Sequence, residues 1–134
     1  MATILAHITV RPGTEAEFEA IAADLYRESH AHEDDIVRYE YWRGADPQTY
    51  YTLLSFPDHR SFIVHQTSDH HEDASPRLGN VIEGIRLEWV DPIAESSPLV
   101  GTDAQGAPDG ADELTEKYTR LYAAQVAEWW LGLR

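Results

Sequence analysis

Histidine and tyrosine carry most of the chemical potential of this chain. It has 7 histidines and 7 tyrosines but no cysteine. Proton transfer and nitrogen or oxygen ligation are therefore open to it, whereas disulfides and thiolate metal sites are not. Two histidines stand in a His-x4-His stretch, His65-Gln66-Thr67-Ser68-Asp69-His70. Imidazole is the side chain suited to accept a proton near neutral pH, its unperturbed pKa being about 6.5. Spacing alone equally describes His65 as a helix-surface or hydrogen-bonded packing histidine.

A metal centre is not expected. His30, His32, His70 and His71, with the acidic stretch Asp69–Asp73, supply nitrogen and oxygen ligands. Yet His30 and His32 lack the i, i+4 spacing that puts two imidazoles on one helical face, and Asp69-His70-His71-Glu72-Asp73 also reads as a solvated surface. The Asp-His-His triplet is similar to a phosphoesterase motif, but such enzymes need a longer chain and more aspartates. No Gly-rich phosphate loop, Gly-x-Ser-x-Gly elbow or dinucleotide fingerprint is present.

The elements that must position these groups are legible from periodicity. Residues 3–10, rich in β-branched types, read as a strand with apolar residues on both parities, hence covered on both faces. Arg11-Pro12-Gly13 is a turn, and Thr14 and Glu17 stand at capping-box spacing before Phe18, Ile21, Ala22 and Leu25, the stripe of an amphipathic helix reaching about Ala31. Residues 36–43 and 49–56 read as a hairpin around Gly44-Ala45-Asp46-Pro47. Asp58 opens a short helix and Ser68-Asp69 another, interrupted by Pro76 and ending near Gly79. Residues 81–90 form the last strand. This β-α-β-β-α-β order is ferredoxin-like, an α+β fold.

Residues 1–95 thus form one domain. Residues 96–111, with Gly101, Gly106, Pro108 and Gly110, read as a mobile linker. Asp112 caps a single final amphipathic helix over 112–134 bearing Leu114, Tyr118, Leu121, Tyr122, Trp129 and Leu133. Exposing that stripe would be adhesive, so the helix is expected to pack on the core or a partner.

The balance of 10 Lys+Arg against 24 Asp+Glu, a net charge of −14, repels phosphate backbones and anionic lipid. Nucleic-acid and membrane roles are not expected. The N-terminus lacks a basic region and a long apolar run, which points to a cytoplasmic protein.

In order and spacing, residues 3–92 resemble the antibiotic biosynthesis monooxygenase family. The resemblance rests on Val10-Arg11-Pro12-Gly13 before a Glu-rich helix and on Ile36-Val37-Arg38-Tyr39-Glu40 after an acidic break. It also rests on the third strand running into Asp58, and on the His-x4-His stretch. It implies two ferredoxin-like units pairing through their sheets into a dimeric α/β barrel, with a pocket between sheet and helices. It further implies oxygenation of an aromatic quinol or a polyketide-like anthrone without flavin, haem or metal. A base would generate the electron-rich anion, and donors would hold the developing oxyanion. His65, then His70, fits the base, and Tyr39, Tyr41, Tyr51, Phe56 and Trp89 are candidates to line the pocket around a small aromatic ligand. Ordinary sheet core is the alternative for each of these five. The family's Glu-x-Trp at the end of the third strand is here Leu54-Ser55-Phe56. That departure leaves open a non-catalytic binding or interaction module of the same fold, and a haem-degrading relative is a third reading.

Overall fold

A computed structural model describes all 134 residues. The elements run β1 (Ala2–Val10), α1 (Glu15–His32), β2 (Arg38–Arg43), β3 (Thr49–Phe56), α2 (His59–Thr67), α3 (Asp69–Val81), β4 (Ile82–Trp89), α4 (Glu113–Leu121) and α5 (Glu128–Leu131). The four strands form one antiparallel sheet in the order β2-β3-β1-β4. This is the expected α+β ferredoxin-like arrangement, with a helical C-terminal extension.

Alternation along the strands decides which residues meet the helices. Ala2, Ile4, Ala6, Ile8 and Val10 of β1 are all buried, and their register partners Tyr50, Leu54 and Phe56 of β3 face the same side. The helices close this layer with Phe18, Ile21, Ala22 and Leu25 of α1, the stripe predicted from spacing, and with Phe62 and Ile63 of α2. Phe18, Phe56 and Phe62 are each 1 % exposed or less, and fully burying such a side chain contributes about 1.5–3 kcal/mol. The opposite face of the sheet, carrying Leu5, His7, Tyr51 and Leu53, has no layer of this chain laid over it.

Four local expectations change. Thr14 makes no side-chain cap; its hydroxyl donates instead to the Arg11 carbonyl at 2.7 Å and the Val81 carbonyl at 3.2 Å. The same carbonyl of Val81 accepts the Arg11 amide at 2.8 Å, and this tie, with Val81 buried, carries α3 past Pro76 and Gly79 to Val81. The segment 96–111, read as a linker, is irregular but hydrogen-bonded to the sheet. Thr102 is fully buried, takes the Thr3 amide on its hydroxyl at 3.2 Å and donates to the Val90 carbonyl at 2.8 Å. Finally, the tail is two short helices. Asp112 caps the first, accepting from the Thr115 amide at 2.7 Å. The helix then stops at Tyr122, whose carbonyl is 2.9 Å from His59 Nε2. A tertiary contact has removed that carbonyl from the helical ladder, and residues 122–127 leave the helix although their types favour it. α4 packs on α2, with Tyr118, Tyr122 and Trp130 against the core, while Leu121, Trp129 and Leu133 stay exposed.

Candidate functional site

Because β2 is an edge strand, the space between it and α1 is open at one side. Tyr39 and Tyr41 alternate with Glu40, so both rings lie on the helix-facing side, opposite Leu54 and Thr52 of β3. α1 presents Ala22 and Ala23 over this part of the sheet, and their short side chains leave room. The result is a groove of about 730 Å³. Its aromatic walls are Phe18 and Tyr26 of α1 with Tyr41, Trp42 and Tyr50 of the sheet.

Four charged residues, Glu19, Arg27, Glu40 and Arg43, share the lining of the groove. Arg43 donates to both oxygens of Glu19 at 2.7 and 2.6 Å, and the Tyr50 hydroxyl adds a bond at 3.0 Å. The Arg43 hydrogen bonds, against partial burial and with Tyr50 assisting, pull the Glu19 carboxyl down to about 2. Glu19 is therefore a fixed anion rather than a proton acceptor. Deeper in, the Tyr39 and Tyr41 hydroxyls are 2.7 Å apart. Burial pushes Tyr41 up to about 12, partly offset by the bond from Tyr39, and burial with the neighbouring Tyr41 also pushes Tyr39 well above its ordinary value. Both phenols remain neutral donors, the state needed to hold an oxyanion.

Behind Tyr39 lies a second constellation. Glu33 is the C-cap of α1, and its carboxylate is 3.0 Å through each oxygen from His65 Nδ1 of α2, and 2.6 Å through Oε1 from His70 Nε2 of α3. Its side chain is 8 % exposed, against 1 % for His65 and 15 % for His70. Burial acts to raise the Glu33 carboxyl, but the bond and charge of His65, then bonds from His70 and Ser29, outweigh it and hold it below the usual range. Next to them, burial and the His65 charge push His71 down to about 4, and its Nδ1 has no hydrogen-bond partner.

The order of elements and the strand order can now be set beside known proteins. The model of the antibiotic biosynthesis monooxygenase family matches residues 1–77. The chain belongs to this family. Among solved structures, PA3566 of Pseudomonas aeruginosa is 20 % identical, with 69 % of this chain and 94 % of that one covered and a TM-score of 0.64. Rv0793 of Mycobacterium tuberculosis is 16 % identical, covering 72 % and 98 % at 0.64. A structure described as an antibiotic biosynthesis monooxygenase is 15 % identical, covering 69 % and 99 % at 0.64. These likenesses speak for the fold. No curated protein matches the chain. No helix is long and apolar enough to cross a membrane.

Within this family fold the candidate residues separate. Tyr41 lines the groove, and Tyr39 lies behind it with its hydroxyl bonded to that of Tyr41. Phe56, fully buried, packs 5.3 Å from the His65 ring, and Trp89 packs 5.5 Å from both His59 and Phe62, so both are core. Tyr51 is on the opposite sheet face, 5.5 Å from the His7 ring. His65 and His70 are brought together, on Glu33, and neither lines the groove. His32 is exposed beside Glu28, and Asp69 and Asp73 are solvated.

Sequence reasoning missed Phe18, Tyr26, Trp42 and Tyr50 as groove walls, and Glu33 as the hub of the histidines. One signal was available for the walls. Phe18, Ala22, Tyr26 and His30 recur at i, i+4, i+8 and i+12, a helical stripe that widens in the middle where alanine stands. His30 continues it, with its ring 4.1 Å from Tyr26 and stacked 6.3 Å from Tyr39. Its Nδ1 donates to the Tyr26 carbonyl at 2.8 Å, leaving Nε2 without a protein partner.

Proposed function

We propose that the protein is a cofactor-independent monooxygenase acting on an aromatic quinol or polyketide-like anthrone bound in the groove between α1 and β2. The observation that carries this reading is the neutral Tyr41 hydroxyl, backed by Tyr39, in the wall of an aromatic groove. A planar phenolic ring is proposed to lie against Tyr26 and Trp42, over the packed Phe18–Tyr50 pair, with its oxygen on Tyr41.

For an anthrone, a base removes a proton and the negative charge spreads onto the ring oxygen, where Tyr41 donates to it. The anion passes one electron to O2, and the two radicals combine into a peroxide at the same carbon. Loss of water from the peroxide leaves a carbonyl. One oxygen atom enters the product, the other leaves as water, and the substrate supplies every electron. His65, favoured by its spacing, is 1 % exposed and committed to Glu33. The exposed His30 lies outside the groove's lining but one helical turn beyond Tyr26, with Nε2 uncommitted, and we assign it the base role.

The active form is proposed to be a homodimer closed through the uncovered sheet faces. Oxygen uptake by chelator-treated protein with a panel of anthrones and quinols tests the reading. Turnover with incorporation of one labelled oxygen is expected. Binding of the same compounds without uptake would make this a binding module, and activity lost with the chelator while circular dichroism shows the fold intact would refute cofactor independence.

A further inference from the structure

We infer that Glu33, His65 and His70 form a binding site for one divalent transition-metal ion, zinc being the leading candidate. The three groups come from the end of α1, from α2 and from the start of α3. Their ligand atoms lie within 4.8 Å of one another. The carboxylate is 2.6 Å from one imidazole nitrogen and 3.0 Å from the other. Two ligands each about 2.1 Å from a zinc-like ion stand about 3.0–3.4 Å apart, so Glu33 and His70 would move apart by about 0.4–0.8 Å and the two imidazole nitrogens would come within that same range.

Oxygen atoms crowd His70 Nε2. Besides Glu33 Oε1, the hydroxyl oxygens of Ser29 and Ser68 lie 3.2 and 3.0 Å from this one nitrogen. Ser68 is also the N-cap of α3, donating to the His65 carbonyl at 2.8 Å and accepting the His71 amide at 3.3 Å, which leaves Ser29 as the added oxygen near an ion held by the three ligands. Ser29 is fully buried, and beside the cluster His71 holds a buried nitrogen with no partner, its ring 5.1 Å from that of His65. Two imidazoles with one carboxylate suit zinc or its neighbours in the first transition row rather than calcium or magnesium, which prefer oxygen.

The ion would tie three helices together rather than meet substrate, because His65 is 1 % exposed and none of the three ligands lines the groove. The inference is thus independent of the oxygenase reading.

The test uses the untagged, full-length chain, dialysed against chelator and titrated with zinc by calorimetry, with cobalt absorption as a second probe. One ion per chain, a melting temperature raised by several degrees and ligand-field bands of bound cobalt are expected. Glu33→Gln and His70→Ala should each weaken zinc at least 100-fold. His70 is 15 % exposed, so its variant is the one expected to keep the fold if the other does not. Dissociation constants weaker than about 100 µM for wild type, or unchanged binding in a folded His70→Ala, would overturn the assignment.

Discussion

The hydroxyls of Tyr39 and Tyr41 lie 2.7 Å apart, two residues along one strand, with only Tyr41 reaching the groove. Successive same-face side chains of a strand stand close enough for two long phenols to pack, here with ring centres 5.3 Å apart, and to join their hydroxyls. The pair therefore orients the donor that a bound anion would meet. Tyr41→Phe removes that donor, and turnover should fall about 10²-fold. KM should change little, and the melting temperature should stay within a few degrees. Since burial pushes Tyr41 up to about 12, the wild-type rate should show no loss attributable to this phenol below about pH 11. A kcat unchanged in Tyr41→Phe would remove the donor role.

His30 and His65 should separate by readout. His30→Ala should cut oxygen uptake by about 10²–10⁴-fold with the fold intact, the usual worth of one general base. His65→Ala strips a partner from the buried carboxylate of Glu33 and should cost about 3 kcal/mol of stability, seen in a denaturant midpoint. Full activity in His30→Ala, with loss in a folded His65→Ala, would return the base role to the His-x4-His position.

The uncovered sheet face should mediate dimerisation. Leu53 stands on it beside Tyr51, opposite Leu5. Light scattering should give twice the mass of one chain for wild type, and Leu53→Arg should shift the protein to monomer by placing a charge in the seam. Wild type eluting as a monomer across a wide concentration range would remove the barrel.

The tail should be held in an acid-sensitive way. Arg134 Nε is 3.0 Å, and Nη2 2.6 Å, from the carboxylate of Asp91, which is 8 % exposed. The Arg134 bonds, outweighing burial, hold Asp91 below its ordinary 3.8. A depressed folded value means that the stabilisation is complete above about 3.8 and is lost as pH falls through the lower folded value. Asp91→Asn should cost about 1–2 kcal/mol at neutral pH. It should also flatten the melting-temperature profile below pH 4 relative to wild type. Parallel profiles for the two proteins would show that the acid sensitivity lies elsewhere.

Strand alternation and helical spacing, which are properties of neighbouring residues, decided β1, β3, the buried stripe of α1 and the order of elements before any tertiary contact was known. They also placed Tyr39 and Tyr41 on one face, because a strand repeats every two residues. What they could not decide is how far α1 stands from the edge strand, and that gap makes Tyr41 a groove wall while Phe56 and Trp89 become core. Nor could spacing place Glu33, which stands in the acidic break before Ile36. Its carboxylate meets His65 and His70 only because the end of α1 lies against α2 and α3, 32 and 37 residues later in the chain. The tail carries the same lesson, since Tyr122 leaves its helix for a carbonyl contact with His59, 63 residues earlier. Local sequence sets periodicity, whereas contacts between distant segments depend on how the layers pack, and the chemistry of this chain lies in those contacts.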